Sequence, residues 1–315
     1  VNSKLRLVAE RQGGVFSRRQ AVASGYTPKQ IRSRLGDGRW IRIRHGQYAE
    51  PLDTTALEPW ARARQDHLRM VHAVVNSRRA APVAISHQSA LALHGLPLWG
   101  LDLSCVHITR RDDTTSGKVA GVHHHAGGLV DADLARIGAL ITTTVARAVF
   151  ETACTTSFEA AVVSFDAALR DHSISADDVQ RLLDATAYWP GSATARAALN
   201  FADRRSESVG ESRLRVLFAD NGLPAPDLQV EFYDARGFIA RVDFFFAEFN
   251  TVVEFDGRLK YAGATGEVLV QEKIREDRLR ARGLEVVRAD WTDLVRPDRL
   301  LTDIHGAFAR ARRAA

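Results

Sequence analysis

Apolar positions in the first fifty residues fall in short groups punctuated by helix starts, helix stops and turns. Leu5 to Gln12 reads as a short amphipathic helix that Gly13-Gly14 ends. Ser17 with Gln20 three residues on has the capping-box spacing, in which a hydroxyl and an amide side chain satisfy each other's backbone donors; Gly25 stops that helix. Thr27-Pro28-Lys29-Gln30 repeats the signal with proline at the first helical position, predicting a helix through Leu35. After Gly36-Asp37-Gly38, large apolar and basic residues alternate from Trp40 to Arg44, and His45-Gly46 turns the chain back toward Gln47-Tyr48. Helices followed by a hairpin, in this order, predict a winged helix-turn-helix over residues 1–50.

The pattern from 51 to 205 is less regular. Helical spacing recurs over Pro59 to Ser77, Ser86 to Leu93, Thr144 to Ala153, Phe158 to Asp171 and Ala176 to Ala187, with strand-like stretches at Ser104 to Thr109 and Lys118 to His125. This predicts an α/β middle domain, which the polar run Asp203 to Glu207 links to the rest. Periodicity sharpens again from 206 to 315. A helix from Val209 to Asp220 precedes strands at Leu228 to Tyr233, Phe238 to Phe246 and Thr251 to Asp256, then a helix from Gly266 to Arg282, a strand from Leu284 to Arg288 and a helix from Asp298 to Arg312. The predicted order of the last domain is αβββαβ, followed by a final helix.

Composition narrows the class. With 315 residues, 45% of them hydrophobic, the chain has apolar material for two or three cores. Cys105 and Cys154 stand far apart and make no CxxC pair, which argues against a disulfide framework or a zinc ribbon. No apolar run reaches the roughly 18 residues a bilayer requires, and no signal-like segment opens the chain, so a soluble, cytoplasmic protein is expected. The net charge is +5, yet residues 1–50 hold eleven Lys and Arg against Glu10, Asp37 and Glu50. The basic excess is therefore local. Clustered cations favour a polyanion such as DNA, through release of its condensed counterions. In a winged helix, Lys29, Arg32 and Arg34 would lie on the recognition helix, and Arg39, Arg42 and Arg44 on the wing.

The last domain carries acids where strands seldom have them. Alternation puts Arg241, Asp243 and Phe245 on one face and Val242, Phe244 and Phe246 on the other, and Glu254 and Asp256 likewise point together. A turn over residues 247–250 would bring Asp243 beside Glu254, an oxygen-rich pair suited to a hard divalent cation. Glu211, three residues after Ser208, is either the capping partner of that serine or a third carboxylate of the site. His123-His124-His125 is not expected to bind metal, because successive strand residues face opposite ways.

The αβββαβ order, with Glu211, Asp243 and the run Glu254-Phe255-Asp256-Gly257, resembles the PD-(D/E)XK nuclease superfamily. Adding Glu272 to Leu279 and Gly283 to Arg288, it resembles the branch related to very-short-patch-repair endonucleases. Gly14 to Ala21, Gly46-Gln47-Tyr48 and Ser86 to Gly95 resemble proteins with an AbiEi-type antitoxin N-terminal domain, which are linked to toxin–antitoxin and phage-defence systems. The first resemblance implies Mg²⁺ (or Mn²⁺) held by Asp243 and Glu254 with Glu211 behind them, and phosphodiester hydrolysis in DNA. Asp256 occupies the position where the superfamily usually has lysine, leaving Lys260 or Lys273 as substitutes. The second resemblance implies a non-enzymatic antitoxin or repressor with a cognate toxin or other defence partner. Both readings stand on the sequence alone.

Overall fold

A computed structural model of the 315-residue chain describes all residues except 79–82, 111–115, 172, 258–265 and 315. Lys260 lies outside the described residues. The chain divides into two compact units, residues 1–164 with 173–197, and residues 165–172 with 198–315. The first unit thus contains the basic N-terminal segment and most of the middle one. No described helix is long and apolar enough to cross a membrane.

The first fifty residues form α1 (Ser3–Glu10), β1 (Val15–Ser17), α2 (Arg18–Ala23), α3 (Pro28–Gly36), β2 (Ile41–Arg44) and β3 (Gln47–Ala49). The strands make a small sheet in the order β1-β3-β2. Both capping boxes form, Ser17 with Gln20 and Thr27 with Gln30, so α2 and α3 begin where their hydroxyl and amide side chains satisfy the free backbone donors. Leu5, Phe16, Ile31, Trp40 and Tyr48 close the core, with Trp40 edge-on to Phe16 at 4.7 Å and to Tyr26 at 4.9 Å between ring centroids. One buried indole thereby ties the hairpin to the helices. This is the architecture of a winged helix, with α3 as the second helix of its α2–α3 helix-turn-helix and β2–β3 as its wing.

The chain continues through α4 (Pro59–Ser77), β4 (Val83–Ile85), α5 (His87–His94), β5 (Val106–Arg110), β6 (Gly117–Val119), β7 (Val122–Ala126), β8 (Leu134–Ile137), β9 (Leu140–Thr143), α6 (Val145–Ala153), α7 (Phe158–Arg170), α8 (Ala176–Ala185) and α9 (Ser192–Phe201). Six strands form a mixed sheet in the order β6-β7-β5-β4-β9-β8, and Val106, Ile108 and Val122 pack with Val71 and Val74 of α4. The side chain of Arg69 on α4 donates to the Glu50 carbonyl at 2.8 Å, and Asn76 donates to Gln12 at 2.6 Å, so α4 also backs the winged helix.

The second unit holds α10 (Val209–Asp220), β10 (Asp227–Asp234), β11 (Gly237–Phe246), β12 (Thr251–Phe255), α11 (Gly266–Ala281), β13 (Glu285–Ala289) and α12 (Asp298–Ala314). Its sheet runs β10-β11-β12-β13, antiparallel at the first two junctions and parallel at the third. Parallel pairing requires a crossover between β12 and β13, and α11 lies within it. Phe244, Phe246 and Val253 pack on one side with Phe218 of α10 and Phe308 of α12; Val252 packs on the other with Leu279 of α11. The sheet is therefore buried on both faces, and its strands are accordingly rich in Phe and Val.

Candidate functional site

The winged helix sorts its six candidate cations by what already holds them. Lys29 and Arg32 on α3 and Arg42 on β2 are exposed, and no ion pair engages them among the described residues. Arg44 is half-buried. Arg34 instead lies over the Tyr26 and Trp40 rings, with its guanidinium carbon 5.0 and 5.6 Å from their centroids. There it closes the core by cation–π contact. Arg39 folds back on Asp37, with its Nε 2.9 Å from the carboxylate, and this hydrogen bond holds the Asp37 carboxyl below its ordinary range. Arg18 and Arg19 at the start of α2 are exposed as well. Lys29, Arg32 and Arg42 thus remain the exposed cations of α3 and the wing that no ion pair holds among the described residues.

In the second unit, strand register assembles a polar row. Leu228 pairs with Phe244 and Val230 with Val242, so Gln229 lies opposite Asp243; Phe244 pairs with Val253, which sets Asp243 beside Glu254; Glu254 pairs with Arg288. One polar residue from each of four strands therefore crosses the sheet. Asp243 accepts from the Phe255 backbone N–H at 2.8 Å and from Gln229 Nε2 at 3.3 Å. Gln229 Nε2 also donates to Glu211 at 3.0 Å, coupling α10 to the row. The Glu211 carboxylate further accepts from Ser208 Oγ at 2.8 Å and from the Glu207 N–H at 2.9 Å, so it serves the helix start and faces Asp243 at once.

Sequence reasoning missed Gln229, although a polar residue in an apolar strand was a signal. Its φ of 55° is left-handed, a rare state for a residue with a side chain. That conformation takes it out of regular pairing while its amide bridges two carboxylates.

The cations at the row are arginines. Arg275 on α11 donates to Glu254 at 3.1 Å, and Arg288 lies 3.8 Å from Glu254 and 2.9 Å from Asp256. Lys273 is exposed on α11, and Arg241 pairs with Glu207 at 2.8 Å. Asp256 is held by Arg288, whose guanidinium also reaches Glu272 and Glu276. Burial raises the pKa of Glu254, Arg275 and Arg288 pull it back, and Asp243 and Asp256 push it up again. Burial likewise raises Glu211, followed by the charge of Asp243. Burial disfavours the charge of Arg288, yet the hydrogen bonds it donates to Glu272 and Asp256 hold its pKa above the ordinary range.

Carboxylate oxygens are the right donors for a hard divalent ion, and two of them carry raised pKa values of the kind a nearby dication would relieve. Asp243, Glu254 and Glu211 therefore fit such an ion in kind. Internal donors already engage all three, so binding would compete with those contacts.

Comparison with known proteins adds two findings. Residues 3–51 match the family described as a transcriptional regulator, AbiEi antitoxin, and this segment coincides with the winged helix. Two uncharacterized proteins of Mycobacterium tuberculosis, MT2308 from strain CDC 1551 / Oshkosh and Rv2248 from strain ATCC 25618 / H37Rv, are each 30% identical over 194 residues. The match spans 61% of this chain and 69% of each relative.

Proposed function

The chain belongs to one family with these two mycobacterial proteins, and we propose that it is a DNA-binding regulator of the AbiEi-antitoxin kind. Its winged helix grips duplex DNA, with α3 entering the major groove and the β2–β3 wing on the backbone. The observation that carries this reading is the set of unengaged cations, Lys29, Arg32 and Arg42, on the two elements such a fold turns toward DNA. A cytoplasmic setting and a cognate toxin or other defence partner belong to the same proposal.

Fluorescence anisotropy with a labelled duplex tests it. Arg32→Ala and Arg42→Ala each weaken binding, whereas Lys273→Ala, in the other unit, leaves it unchanged. Equal affinity in wild type and both arginine variants would put the DNA contact elsewhere.

A second reading concerns residues 206–315, and the acid-bearing row favours it: Asp243 beside Glu254 on neighbouring strands, with Glu211 bridged to them by Gln229. We infer a PD-(D/E)XK-like centre in which Asp243, Glu254 and Glu211 hold Mg²⁺ or Mn²⁺. When bound, such an ion polarises a phosphodiester and lowers the pKa of water. Arg275 and Arg288 fix the Glu254 carboxylate, and Gln229 fixes Asp243 against Glu211.

Plasmid incubated with Mg²⁺, Mn²⁺ or EDTA distinguishes an active centre from a binding module. The nuclease reading expects metal-dependent nicking that Glu254→Ala abolishes. Nicking no greater than that of the variant would leave this unit without catalysis.

A further inference from the structure

Neighbouring residues on one strand diverge, so His123-His124-His125 alone cannot enclose an ion, but the adjacent strand β5 and helix α5 bring further imidazoles to the same face. Parallel pairing of β5 with β7 sets His107 opposite His123 and Thr109 opposite His125. Alternation then puts His107, His123 and His125 on one face, while Val106, Ile108 and Val122 pack in the core on the other. His87 joins them from the start of α5. Its φ of 51° is left-handed, a state that persists outside glycine only where surroundings enforce it. Its ring stacks on that of His125, 3.7 Å between centroids.

We propose that His87, His107 and His125 form a binding site for a divalent transition-metal ion of the zinc class. One ring nitrogen from each of the three lies within 4.8 Å of the others. Zinc–nitrogen bonds of about 2.0–2.1 Å set tetrahedral ligand atoms roughly 3.4 Å apart, so a small inward movement of the rings completes the geometry. The contact between His107 Nδ1 and His125 Nε2 is already 2.9 Å.

At His87 the outer atoms have the arrangement that positions metal-binding imidazoles. His87 Nδ1 lies 3.0 Å from Ser86 Oγ and 3.5 Å from a Glu151 carboxylate oxygen, which directs its other nitrogen inward. His107 Nε2 accepts from the Gln88 amide nitrogen at 2.9 Å, so ligation through Nδ1 takes that amide turned over, with its buried oxygen, which has no hydrogen-bond partner among the described residues, receiving the Nε2 proton. Glu151 is itself fixed by Arg147 at 2.9 Å. His123 adds a reserve donor: its ring is 4.0 Å from that of His125, and its Nδ1 is buried without a hydrogen-bond partner among the described residues.

A cavity of about 350 Å³, lined by His87, His125, Glu151, Cys154 and Trp189 among others, leaves an open position for water or an exogenous ligand. Three imidazoles with a free fourth position select zinc, cobalt, nickel or copper over magnesium, which demands oxygen donors. Burial and mutual repulsion keep the rings neutral, with His107 lowered to about 4 and His125 to about 3, so their lone pairs are available at neutral pH.

The test uses the full chain without a histidine tag, stripped with chelator and titrated with Co²⁺ and then Zn²⁺. The proposal expects one Co²⁺ per chain, with visible ligand-field absorption that Zn²⁺ abolishes and excess Mg²⁺ does not. His125→Gln and His107→Gln each weaken uptake by more than ~100-fold, the upper end of what losing an outer-sphere partner costs. His124→Gln, on the opposite face of β7, binds as wild type does. If the histidine variants misfold, wild type alone decides: a zinc-dependent rise in its melting midpoint supports the site. Absence of stoichiometric uptake, or equal uptake by folded His125→Gln, shows the rings to be a hydrogen-bonded polar cluster only. The readout is ion uptake, so its failure would leave DNA binding untouched.

Discussion

Arg32 and Arg34 sit two residues apart on α3 and do different work. Arg32 faces solvent, whereas Arg34 covers the rings of Tyr26 and Trp40. Arg34→Ala should therefore cost about 0.5–2 kcal/mol of stability, the range of a partly desolvated cation–π contact, and Arg32→Ala almost none. Urea denaturation checks this, and equal midpoints for the two variants would contradict the assignment. Charge alone could not separate them in the sequence, because Lys29, Arg32 and Arg34 crowd one short helix and only the fold reveals which one meets Trp40. The same limit applied to the acidic row. Asp243 and Glu254 were legible from alternation, but Gln229, Arg275 and Arg288 reach it through strand register and a helix crossover that no local pattern encodes.

Among the elements, those with strong punctuation were readable. Both capping boxes of the winged helix form, and α10 through α12 follow the predicted order. The strands β4, β8 and β9, three or four residues long, lacked the length over which alternation can be recognised. Glu211 has two contacts of consequence: Ser208 caps α10 through it, and Gln229 links it to Asp243. One small residue permits that approach. A Cβ on Gly210 would stand 2.0 Å from the Phe255 ring, so α10 can lie against β12 only with glycine there. Gly210→Ala should cost about 1–3 kcal/mol, as overpacking does, and should lower the thermal midpoint. A midpoint equal to wild type would mean that the helix shifts freely, and that Glu211 is not held against the row.

At the scale of the whole molecule, charge is unevenly spent. The +5 chain concentrates eleven Lys and Arg in its first fifty residues, while the arginines around Glu254 and Asp256 are consumed by neighbouring acids. Long-range attraction to a polyanion therefore comes chiefly from the winged helix, which is also the segment matched to the AbiEi transcriptional-regulator family. Counterion release makes this claim quantitative, since each neutralised phosphate contributes about 0.9 to the slope of log K against log salt. The most direct measurement is that slope for the full chain on duplex DNA, compared with Arg32→Ala and Arg42→Ala. The account predicts a steep negative slope in wild type that each substitution flattens by about one. Identical slopes in all three proteins would contradict it.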